Sequence, residues 1–83
     1  MNYELTQHAK DALTERQIPL NWVERALDAP EKTEPDKADP QLTHHLAKIA
    51  EHGNRVPRVV FNPQAKPARV VTAYFDRKMK GKI

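Results

Sequence analysis

The sequence predicts an α+β domain on two observations. Apolar residues fall at helical spacing through residues 7–28, and two valine-rich runs close the chain. The runs are Arg55–Asn62 (RVPRVVFN) and Arg69–Arg77 (RVVTAYFDR), with the proline-bearing segment Pro63–Ala68 between them. β-Branched and aromatic residues bounded by turn residues read as a β-hairpin. A helix pair with one apolar side needs such a sheet to cover it.

Each element has its own signal. Tyr3–Leu5 reads as a short strand or a lead-in segment. Thr6 suits an N-cap for a helix from about Gln7 to Arg16, in which Ala9, Ala12 and Leu13 share one arc. Arg16 projects near the middle of that arc, so it needs an anion or carbonyls, with Glu34 or Asp36 as candidate partners. Ile18-Pro19 interrupts, and a second helix runs from about Leu20 to Asp28. Trp22, Val23, Ala26 and Leu27 form its apolar face, on which Trp22 reads as core. Ala29-Pro30 stops it. Glu31–Pro40 is acidic and proline-rich, with room for an edge strand around Lys32–Glu34. Gln41–His52 fits two patterns: Leu42, Leu46 and Ile49 fit a helix, while the alternation of Leu42, His44 and Leu46 fits a strand. In the hairpin, Val56, Arg58 and Val60 share one face, as do Val70, Thr72 and Tyr74. Val59, Phe61, Val71, Ala73 and Phe75 would then cover the helices, with a bulge or unpaired stretch at Pro57.

Composition narrows the function. With 83 residues the chain is one domain with a thin core, a monomer or small homo-oligomer. It has no cysteine, so disulfides and thiolate metal sites are excluded. No apolar run approaches the roughly 20 residues of a membrane helix, and no signal peptide opens the chain, which points to the cytoplasm. Charge is unevenly placed. Residues 1–42 hold five Lys/Arg and nine Asp/Glu (−4), and residues 43–83 hold nine and two (+7), recovering the net +3. A polyanion would meet the second half, whose tail from about Arg77 is basic and expected to be mobile.

HAKDALTERQI, the short helix ending in AP, RVPRVVFN and RVVTAYFDRKMKGK together resemble a bacterial domain-of-unknown-function family related to the RelE- and BrnT-type toxins. The resemblance covers about Leu5 to Lys82. It implies two N-terminal helices packed on a small antiparallel sheet of three to four strands, with Gln41–His52 as a strand. It also implies RNA as substrate, metal-independent endoribonuclease activity without a cofactor, and a cognate antitoxin as partner. His8, Arg16, Arg58, Thr72 and Tyr74 match the polar positions of the family pattern.

Metal-independent RNA cleavage needs a base for the ribose 2′-OH, cations for the phosphorane and an acid for the leaving oxygen. His8 is the candidate acid/base, because only imidazole titrates near neutral pH. Arg58 and Tyr74 complete the candidate catalytic set, as phosphate clamp and second proton donor. Arg16 and Thr72 are the candidate substrate-binding residues. Structural roles compete at each position: His8 as helix packing, Arg16 in an ion pair, Thr72 and Tyr74 as plain strand residues. Arg58, with few carboxylates near it in sequence, leans toward function. His44, His45 and His52 make a weak metal motif, since adjacent strand residues point to opposite faces. The rival reading is a non-catalytic module whose basic sheet face binds an acidic protein or nucleic acid.

Overall fold

The computed structural model describes residues 1–83. In chain order the elements are β1 (Tyr3–Leu5), α1 (Gln7–Arg16), α2 (Leu20–Asp28), β2 (Lys32–Pro35), β3 (Thr43–Leu46), β4 (Pro57–Asn62) and β5 (Ala68–Phe75). A 3₁₀ turn at Ala50–His52 leads into β4. The α+β class and the helix pair stand, but the sheet is larger than three to four strands. Five strands run in the order β1-β5-β4-β3-β2, and β1 pairs parallel to β5, so the sheet is mixed. The small pieces at Tyr3 and Lys32 both pair as edge strands. Of Gln41–His52, only Thr43–Leu46 is strand.

Local chemistry sets the helix ends. The Thr6 hydroxyl accepts from the Ala9 amide at 3.1 Å and donates to the Val71 carbonyl at 3.3 Å, so one side chain caps α1 and ties it to β5. Gln17 takes the left-handed conformation (φ 56°) and closes α1. This turns the chain so that Ile18 enters the core.

Both helices lie on one face of the sheet. Ala9 and Leu13 of α1, and Val23, Ala26 and Leu27 of α2, pack with Val59, Phe61, Ala68, Val70 and Ala73. The hairpin faces follow the expected alternation in β4 but not throughout β5. Val60 pairs with Thr72 while Phe61 pairs with Val70, which leaves Val71 as an extra residue. This bulge shifts the face by one, so Val70, not Val71, is the fully buried core residue. Pro57 is not the irregular point. It opens β4, where a missing N–H is tolerated.

Candidate functional site on the outer face of the sheet

Because Val59 and Ala73 face the helices, their neighbours Arg58 and Tyr74 face outward. Strand pairing lays a row across this outer face in which polar groups flank a buried valine: Glu34 beside His44, His44 beside Val60, Val60 beside Thr72. Arg58 and Tyr74 pair in the adjacent row.

Arg58 is the centre of an ionic cluster, contrary to its expected freedom. Its Nε and Nη2 donate to Asp76 Oδ2 at 2.9 and 2.8 Å, and its Nη1 donates to Glu34 Oε1 at 2.7 Å and His44 Nδ1 at 2.9 Å. A guanidinium has no acceptor, so His44 Nδ1 accepts and its Nε2–H donates to Asp36 Oδ1 at 2.7 Å. Both carboxylates at the ends of this cluster also hold turns: Asp36 accepts from the Ala38 and Asp39 amides, and Asp76 from Lys78 and Met79. Burial pulls the Arg58 pKa down, but Glu34 and Asp76 more than reverse this, and it ends raised. Desolvation works against the Asp76 carboxylate, yet Arg58 and two amides hold it below its usual range. The Asp39 amide, then His44, draw Asp36 down to about 2.

The other candidates divide. Arg16 finds carbonyl oxygen, not Glu34 or Asp36. Its Nη1 donates to the Ala73 carbonyl at 2.9 Å and reaches Thr72 Oγ1 at 3.5 Å, around the stretch of β5 that β1 does not cover. Arg16, Thr72, Tyr74 and Arg58 are therefore contiguous. The Tyr74 ring is exposed and its hydroxyl has no protein partner, leaving it available to a ligand. His8 does not join them. It is exposed on α1, which lies on the helix side of the sheet, and it precedes Arg16 by about 12 Å of helical rise. The three remaining histidines sit apart: His44 on the outer face, His45 against the Ala26 carbonyl at 3.1 Å on the helix face, and His52 beside Arg55 at 3.1 Å.

Two adjoining hollows flank the end of β5. One, of about 920 Å³, is lined by Glu34, Asp36, Lys37, His44, Arg58 and Tyr74, among others. The next, of about 490 Å³, is lined by Arg55, Val56, Phe75, Asp76, Arg77 and Lys80. The basic tail is wound into turns against them, with Met79 N bonded to Asp76 O and Lys82 N to Met79 O. Arg55, Arg77, Lys78 and Lys80 belong to no ion pair. Trp22 is half-buried and not fully core. Its ring lies 4.8 Å from that of His52 and 6.2 Å from that of Phe75.

The sequence did not expose Glu34, Asp36, His44 and Asp76 as one cluster. Alternation assigned His44 to a strand, but only the register from β2 through β5, which composition does not encode, brings these groups to Arg58.

This is a helix-pair-on-mixed-sheet domain with an ion-paired outer face and an unpaired basic end. The chain belongs to the family described as domain of unknown function DUF4258, whose profile matches residues 5–75. Neither the curated proteins nor the solved structures hold a significant match.

Proposed function

We propose that this protein is a toxin-like RNA-binding domain that meets its ligand at the basic end of β5. One observation carries this reading. Six cations (Lys37, Arg55, Arg58, Arg77, Lys78 and Lys80) and three carboxylates (Glu34, Asp36 and Asp76) line the two hollows, and of the cations only Arg58 belongs to an ion pair. The local field is thus positive where the surface is concave, which suits a phosphate backbone. Binding of RNA, followed by fluorescence anisotropy, is expected to weaken steeply with salt and to fall when Arg77 and Lys80 are both changed to glutamine. Salt-independent or absent RNA binding overturns the proposal, and would favour an acidic protein partner such as a cognate antitoxin.

Metal-independent cleavage is the second reading, favoured by the contiguous Arg16, Thr72 and Tyr74 and the free Tyr74 phenol. It predicts cut RNA in the presence of chelator, with product lost in Tyr74→Phe. The position of His8, across the sheet from Arg58, supports cleavage less than binding. If His8→Ala abolishes product while the fold is kept, the substrate must bridge the two sides.

A further inference from the structure

We infer that Arg55 is a stacking platform for an unpaired nucleobase, making single-stranded RNA the preferred ligand. This rests on the RNA-binding reading above and names the kind of RNA. Arg55 Cζ stands over the Phe75 ring at 3.5 Å from its centroid, so the guanidinium sits against an aromatic face. Its Nη1 is hydrogen-bonded to His52 Nε2 at 3.1 Å, which fixes the orientation of the guanidinium plane. His52 in turn packs on Trp22 at 4.8 Å and on Phe75 at 6.0 Å, so the platform has an aromatic backing that reaches the core.

Three further features make this hollow a nucleotide-sized site. Its volume is about 490 Å³, and it is lined by Arg77 and Lys80 as well as Arg55. The one carboxylate in its wall, Asp76, is ion-paired with Arg58 at 2.8 Å, and the three cations Arg55, Arg77 and Lys80 outnumber it. Arg55 has no carboxylate partner of its own. A flat, weakly hydrated cation beside two cations suits a base on its face and phosphates at its rim. Bases inside a duplex are stacked on each other and have no free face to offer.

Charge alone favours the opposite order, because a duplex carries more condensed counterion per phosphate contact than a single strand. A single-strand preference is therefore a signature of stacking. The experiment compares an oligo-uridine of about 12 nucleotides with an RNA duplex of the same length. Affinity is read by anisotropy, and site occupancy by the emission of Trp22, the only tryptophan. The wild type is expected to bind the single strand about tenfold more tightly, with a change in Trp22 emission only for that ligand. Arg55→Lys keeps the charge and removes the plane, and is expected to abolish the preference while leaving the salt dependence intact. A second variant, Phe75→Leu, is expected to act in the same direction. Equal affinity for both RNAs, or a preference that survives Arg55→Lys, overturns the platform but not RNA binding. Binding to neither RNA overturns both.

Discussion

At the scale of single residues, Arg58 shows how a side chain suggestive of catalysis becomes a structural clamp. A guanidinium carries five N–H donors, and Arg58 directs four hydrogen bonds into Asp76, Glu34 and His44. Its side chain is only 12% exposed and that of Asp76 13%, so removing the cation leaves Asp76 desolvated without its charge partner. Arg58→Ala is expected to lower stability by about 2–3 kcal/mol, below the usual cost of breaking a fully buried pair because some water reaches this cluster. Urea titration checks this, and a variant as stable as wild type would show the cluster to be ornamental. The same cluster sets the acid limit of the fold. Folded-state pKa values of Glu34, Asp36 and Asp76 lie below their ordinary values, so the stabilisation is complete above the carboxylate range and is lost as pH falls. For Asp36 the window runs from 3.8 down to about 2. Asp36→Asn is expected to flatten the decline in urea midpoint across that window, and an unchanged slope would contradict the assignment. The sequence made Arg58 legible as an unusual strand residue. It hid the partners, because Glu34 and Asp76 stand 24 and 18 residues away.

Among the elements, those with strong local signals were the ones readable in advance. Thr6, the apolar arcs and Ile18-Pro19 place α1 and α2 closely, since caps and periodicity act within a few residues. The bulge was not readable. Val70 and Val71 are chemically identical neighbours, and only the pairing of Phe61 with Val70 decides which is buried. The parallel pairing of β1 was equally hidden, because a strand of three residues gains its stability from a partner 65 positions away. These long-range ties make Thr6 a test of the architecture, since its hydroxyl serves both α1 and the bulged Val71 carbonyl. Thr6→Ala is expected to cost about 1–2 kcal/mol, at the upper end for an N-cap because two hydrogen bonds are lost. Val71→Ala, at a half-buried position, is expected to cost less than Val70→Ala at a fully buried one. The reverse order in thermal or urea denaturation would place the bulge elsewhere.

For the molecule as a whole, the acidic first half and basic second half do not stay apart in space. Glu34 and Asp36 cross to the outer face and are absorbed by Arg58 and His44, and Glu4 pairs with Arg69 at 3.1 Å. What remains unpaired around the two hollows is Lys37, Arg55, Arg77, Lys78 and Lys80, so the residual field is narrower than the sequence asymmetry suggests. This narrowing makes the salt dependence of binding quantitative. Each phosphate neutralised on a single strand contributes about −0.7 to the slope of log K against log salt, so five cations give a slope of about −3.5. Changing Arg77 and Lys80 to glutamine is expected to reduce it to about −2, whereas changing Lys10 and Lys48 is expected to leave it near about −3.5. Those two lysines line neither hollow, and removing them alters net charge by the same amount. If both double variants flatten the slope alike, binding responds to net charge and not to the end of β5, and the localised surface is wrong even though RNA is bound.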